Sequence, residues 1–166
     1  YWSVWHSAKD FSAYREVNPR FASEFGFQSF TSMNVIETFA EKKDMNPSSP
    51  VMESHQRNTG GNARILETMT RYFRFPQNFE QMVFLSQIQQ GLAIKTAIEY
   101  WRSTKPRCMG TLYWQINDIY PVASWSSLDY GGQWKLLHYT AKRFFNPINV
   151  VAVPDGDTIL LKAIND

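Results

Sequence analysis

Glu24 lies in the run Arg20-Phe21-Ala22-Ser23-Glu24-Phe25-Gly26-Phe27. Apolar residues at 21, 25 and 27 alternate as in a strand, and Gly26 permits unusual backbone angles, so the run reads as a β-strand ending at Glu24. A carboxylate at the C-terminal end of a strand stands where α/β folds collect catalytic groups, and there it can attack, donate or accept a proton. Taken alone, the same glutamate is equally an N-cap, an ion-pair partner or a solvated charge. Trp114, Trp2, Trp5 and His6 form a second set of candidates, since indole faces stack on flat or amphipathic ligands and imidazole hydrogen-bonds to them. Alternation puts Trp114 and Leu112 on the face opposite Tyr113 and Gln115, and Trp114 is assigned to the ligand side. His55 sits in a loop and can also meet a ligand, whereas His138 falls in a helix and Asp118 and Asp129 read as turn-stabilising carboxylates.

The elements that must position these groups come from 166 residues with 43% hydrophobic and 19% charged content and a net charge of +2. Such a chain can bury a core and carries no electrostatic bias toward nucleic acid or an anionic membrane. Its aromatic content of 16% matches proteins that stack on ligands, sugars among them. Cys108 is the only cysteine, so no internal disulfide forms. With no His-x-His or Cys pair either, neither a metal nor another cofactor is expected. No apolar stretch approaches the roughly 20 residues of a membrane span. The start at Tyr1, without Met, basic region or apolar leader, reads as the middle of a larger protein and leaves the compartment open.

Residues 2–14 read as a loop followed by a short helix, and 33–39 as another short helix. Residues 42–61 are rich in Pro, Ser, Asn and Gly and are expected outside regular structure. Positions 65, 66, 69 and 72 follow a helical period that Phe75-Pro76 stops. Asn78, with Gln81 three residues later, opens a long helix whose apolar face is predicted at 83, 84, 88, 92, 94 and 98, out to Trp101. Residues 108–117 form a compact apolar run and read as a buried parallel strand, followed by a loop over 118–132 and a helix over 133–145. Two β-prone runs flank Pro154-Asp155-Gly156-Asp157 and predict a hairpin. The order gives an α/β chain of two βα units followed by the opening of an all-β module.

Two long segments carry a resemblance. Arg20 to Phe30 closely resembles the nucleophile segment of β-mannosidases of glycoside hydrolase family 2, and Gly110 to Tyr130 looks like the last barrel strand and following loop of that family. The Trp2-to-His6 loop resembles the one after barrel strand six, and the closing hairpin the start of an immunoglobulin-like domain. The resemblance implies the C-terminal portion of a (β/α)8 TIM barrel over 1–147 and the first hairpin of a β-sandwich over 148–166. It implies retaining hydrolysis of terminal non-reducing β-D-mannose from a β-mannoside, with Glu24 as nucleophile and Trp114 as the floor of the sugar subsite. Trp2, Trp5 and His6 are then candidates for its wall.

A retaining glycosidase needs two carboxyl groups about 5–5.5 Å apart. In this family the acid/base Glu follows an Asn, and no Asn-Glu pair occurs in these residues, so that group is expected upstream of Tyr1 and the chain alone is expected to be inactive. The remainder of the same polypeptide is its expected partner, because parallel strands need neighbours on both sides. Other family 2 activities on β-galactosides or β-glucuronides, and a non-catalytic carbohydrate-binding module, stay open as alternatives.

Overall fold

The computed structural model describes residues 1–166. Two short helical turns, α1 (Ser3–His6) and a 3₁₀ turn at Phe11–Glu16, precede strand β1 (Ala22–Phe25). Helices α2 (Met33–Ile36), α3 (Pro50–Ser54), α4 (Gly61–Tyr72) and α5 (Phe79–Arg102) then lead to strand β2 (Thr111–Tyr113). Helix α6 (Leu136–Phe144) and the strands β3 (Ile148–Asp155) and β4 (Thr158–Asn165) close the chain. β1 and β2 pair in parallel, and β3 and β4 form an antiparallel hairpin. The peptide bonds Lys105–Pro106 and Trp114–Gln115 are cis.

The pairing of β1 with β2 is irregular at a telling place. Ala22 is opposite Thr111 and Phe25 opposite Tyr113, so three steps along β1 match two along β2. The extra residue is a bulge, and it breaks the alternation that the sequence predicts: Ser23 and Glu24 are both exposed between buried Ala22 and Phe25. Phe21, on the wrong side of the bulge, is exposed, while Phe25 and Phe27 are fully buried.

α5 is the spine of the fold. The Asn78 side chain accepts from Gln81 N at 2.8 Å, and Gln81 returns the bond to Gln77 N at 3.0 Å, a reciprocal cap shifted by one residue. The helix lies against α4, α6, the 3₁₀ turn at Phe11–Glu16 and β2. Its buried surface differs from the predicted apolar stripe: Phe84 and Leu92 are exposed, while Ser86, Gln87, Gln89 and Gln90 are buried beside Val83, Ile94, Ile98 and Trp101. The physical reason is that backbone groups of neighbouring segments pack against this side and need partners: Gln87 and Gln90 donate to loop carbonyls, Gln89 donates to Ile65 O of α4, and Ser86 accepts from Phe30 N. Trp101 anchors the lower core, meeting Phe25 at 4.8 Å and Tyr14 at 5.7 Å edge-on. No helix is long and apolar enough to cross a membrane.

Three further expectations are corrected. The strand predicted over 108–117 pairs only at Thr111–Tyr113 and is not buried: Leu112 is 58% exposed, and Met109 and Ile116 are exposed too, because α5 covers one face of the sheet only. Residues 42–61 are not free of regular structure. A 3₁₀ turn spans Lys42–Asp44, and Ser49 caps α3 by accepting from Met52 N at 3.1 Å ahead of Pro50. The last helix starts at Leu136 rather than 133, because Trp134 is drawn into an antiparallel bridge with Leu128. The hairpin turns at Gly156-Asp157, with Gly156 at φ +56°, and buries Val151, Val153 and Ile164 against Tyr100.

Candidate active site

The bulge in β1 turns Glu24 outward at the C-terminal end of the parallel pair. Trp2, which precedes the first turn of α1, reaches across and donates Nε1–H to Glu24 Oε1 at 2.9 Å. One helical turn later His6 faces the same indole, ring centroids 5.4 Å apart. Burial and the neighbouring Arg64 guanidinium hold the His6 imidazole below its ordinary pKa, so it is neutral at pH 7 and can serve as donor or acceptor.

Gly26 is the hinge of this cluster. A Cβ there would lie 2.4 Å from the Trp114 carbonyl oxygen, 2.9 Å from the Trp2 ring and 3.1 Å from the Trp125 ring. Only a hydrogen fits. Trp114 N in turn donates to Phe25 O at 2.7 Å, which fixes the end of β2 beside the end of β1, and the Trp114 side chain is 45% exposed. The structure thus brings Glu24, Trp2 and His6 together and places Trp114 on the adjoining strand end.

Trp5 is corrected. It is fully buried, packed on Phe27 at 5.1 Å and Trp125 at 6.3 Å, with the Arg64 guanidinium 5.3 Å from its ring centre. Trp2 is half-buried and His6 exposed, whereas Trp5 has no accessible surface, so Trp5 presents no face to a ligand and packs beneath Trp2 through Trp125. Trp125 is the residue that the sequence reading passed over. It meets Trp2 edge-on at 5.9 Å and links Trp2 to the buried Trp5. Its place in the turn-rich Ser-Trp-Ser-Ser run was the available signal.

The remaining candidates are engaged in packing. His55 stacks on Phe39 at 3.7 Å, and its Nδ1 contacts the Pro121 carbonyl. His138 Nδ1 bonds Ser127 Oγ at 3.0 Å. Asp118 accepts from Gln115 at 3.0 Å and Ser124 at 2.6 Å, and Asp129 accepts from Thr31 and from both the backbone and the side chain of Ser32.

Behind Glu24 the loops after the two strands are bound to each other and to α5. Ser29 and Ser124 exchange backbone bonds at 3.0 and 3.1 Å. Gln90 donates to Phe27 O at 2.9 Å and Ser126 O at 3.2 Å while accepting from Ser29 Oγ at 2.8 Å. Gln87 donates to Ser32 Oγ and accepts from Leu136 N. Lys135, wholly buried near Asp129 and Asp118, completes this layer. Burial lowers its pKa to about 8 against the upward pull of the two carboxylates. No three His, Cys, Asp or Glu side chains converge as a metal site.

The arrangement is an exposed carboxylate at a strand end, oriented by an indole N–H and flanked by aromatic rings. Comparison with known proteins gives it a lineage. No family model matches the chain. The β-mannosidase of Capra hircus is 36% identical over 160 residues, which covers 89% of this chain and 18% of that protein. The β-mannosidase B of Aspergillus terreus is 33% identical, covering 90% and 18%. Among solved structures, the β-D-mannosidase from Dictyoglomus thermophilum matches with a TM-score of 0.96 and 39% identity over 99% of this chain and 20% of that one. The chain is therefore of glycoside hydrolase descent. Within that class the matching proteins are β-mannosidases, to one segment of which the chain is similar over nearly its whole length, and it spans about 18% of the length of the Capra hircus and Aspergillus terreus relatives.

Proposed function

We propose that these residues are the nucleophile-bearing part of a retaining, exo-acting family 2 glycosidase that releases terminal β-D-mannose from β-mannosides. The observation that carries the reading is Glu24 itself, turned outward by the β1 bulge and held through Oε1 by the Trp2 N–H. That bond leaves Oε2 to attack the anomeric carbon. The C–O bond to the leaving group breaks as a second carboxylic acid, supplied from outside these residues, protonates the departing oxygen. The resulting mannosyl ester on Glu24 is hydrolysed by water, with the second carboxylate now acting as base. Trp114 supplies the aromatic floor for the sugar ring, Trp2 and His6 the wall, and Trp5 and Trp125 the packing beneath. In this reading 1–147 is the end of a (β/α)8 barrel and 148–166 opens a β-sandwich, so the exposed side of β1 and β2 meets the rest of the same polypeptide. The chain alone then lacks its acid and does not turn over.

The test is covalent trapping. The intact polypeptide is treated with a 2-deoxy-2-fluoro-β-mannosyl fluoride, and the labelled peptide is mapped by mass spectrometry. Label on Glu24 is the expected result. Label from the galactosyl or glucuronyl analogue but not the mannosyl one would move the substrate and keep the mechanism; label on another residue would remove Glu24 from its role.

A further inference from the structure

Outside the Glu24 cluster, the turn between β2 and α6 presents a second aromatic surface. Trp134 is 43% and Tyr139 54% exposed, and their rings meet edge-on with centroids 4.9 Å apart. A tryptophan this exposed contributes little to the core, yet its backbone is firmly held. Trp134 bridges to Leu128, Asp129 N donates to Gln133 O at 2.8 Å, and Lys135 N donates to Ser127 O at 3.0 Å. Asp129 is itself buried and clamped by Thr31 and Ser32, so the turn that carries the indole is fixed on both sides.

In front of the rings lies an open groove of about 570 Å³ lined by Ser32, Asn34, Gly132, Gln133, Trp134 and Tyr139. No lining residue carries a charge, which excludes recognition of a phosphate, sulfate or carboxylate group by ion pairing. Gly131 and Gly132 have φ of +98° and +86°, and a Cβ on either would meet open space. The Asn34 amide donates to Gln133 Oε1. That bond orients both side chains and leaves Asn34 Oδ1 to accept and Gln133 Nε2 to donate, a pairing suited to neighbouring hydroxyls.

We propose that this groove is a second carbohydrate site, separate from Glu24, which holds a neutral pyranose of a longer β-mannoside with its C–H face on Trp134 and its hydroxyls on the Asn34–Gln133 pair. The preset amides and anchored ring reduce the ordering cost of binding. The choice of mannoside rests on the function proposed above; the neutral, stacking chemistry rests on the groove.

The experiment uses the intact polypeptide after mannosyl trapping, which fills the Glu24 site. Isothermal titration with mannohexaose is expected to show binding that Trp134→Ala/Tyr139→Ala weakens at least tenfold, with hydrolysis of an aryl β-mannoside by the untrapped variant within twofold of the parent. If that variant does not fold, Asn34→Ala/Gln133→Ala, which alters exposed or open-groove side chains, is expected to weaken binding at least threefold with unchanged melting. Absence of mannohexaose binding to the trapped parent, or binding unchanged in both variants, overturns the site while the glycosidase reading stands. If no trap forms on Glu24, that reading falls instead, and the same titration on untreated parent and variants decides the groove.

Discussion

The loops that follow β1 and β2 and the β3–β4 hairpin are held together in opposite ways. The loops have little regular backbone, but Ser29, Ser124, Ser126, Ser127 and Asp129 are buried in them, and side chains of α5 tie them down bond by bond. The hairpin has an unbroken ladder from Ile148–Asn165 to Asp155–Thr158, yet it buries only Val151, Val153 and Ile164 and leaves Leu161 74% exposed. Backbone pairing alone makes a marginal ribbon. Side-chain bonds that close in only one arrangement make an irregular segment rigid, and it is beside such a segment that the exposed Glu24 carboxylate stands.

The sharpest way to break the contrast is to remove Gln90. Gln90→Leu leaves the Phe27 and Ser126 carbonyls and the Ser29 hydroxyl without their partner in a buried layer, and a loss of roughly 3 kcal/mol in denaturant unfolding is expected. Gly26→Ala drives a methyl into the Trp114 carbonyl and is expected to cost about 1–3 kcal/mol by the same measurement. Acidity probes the layer through Lys135. Its folded pKa of about 8 lies below its unfolded value of 10.5, so between those values the unfolded chain binds more protons and stability rises with pH. The rise is expected from about pH 8 to 10, below the range where buried Tyr14, whose hydroxyl burial pushes up, pulls the other way. Lys135→Met should flatten it, and an unchanged slope in urea midpoints against pH would refute the assignment. The smallest effect is expected on the hairpin: Leu161→Lys should change stability by less than about 0.5 kcal/mol. A larger loss would show that the ribbon is held as firmly as the loops.

What the sequence discloses follows the range of the interactions. The cap at Asn78 and the turn at Gly156 are set by residues a few positions apart and were legible, as was the first strand, which runs one residue past its expected end at Glu24 to Phe25. The β1 bulge was not, because the extra residue exists only relative to Thr111 and Tyr113, nearly ninety positions away. The buried face of α5 was misread for a related reason. Periodicity ranks Phe84 and Leu92 as core and Gln87 and Gln90 as surface, but the loop carbonyls that recruit those amides come from distant segments. Likewise nothing local distinguishes buried Trp5 from half-exposed Trp2; their fates depend on Trp125 and Arg64.

The β1 bulge also carries a reading-frame consequence. A strand assigns its side chains to faces by parity, and the one-residue excess shifts that parity between Ala22 and Phe25. Were the pairing regular with every residue kept, Ala22 and Phe25, three positions apart, would lie on opposite faces, and Glu24 would share a face with Ala22 rather than stand exposed beside Ser23. The placement of the carboxylate is thus stored in the number of residues as much as in their kind.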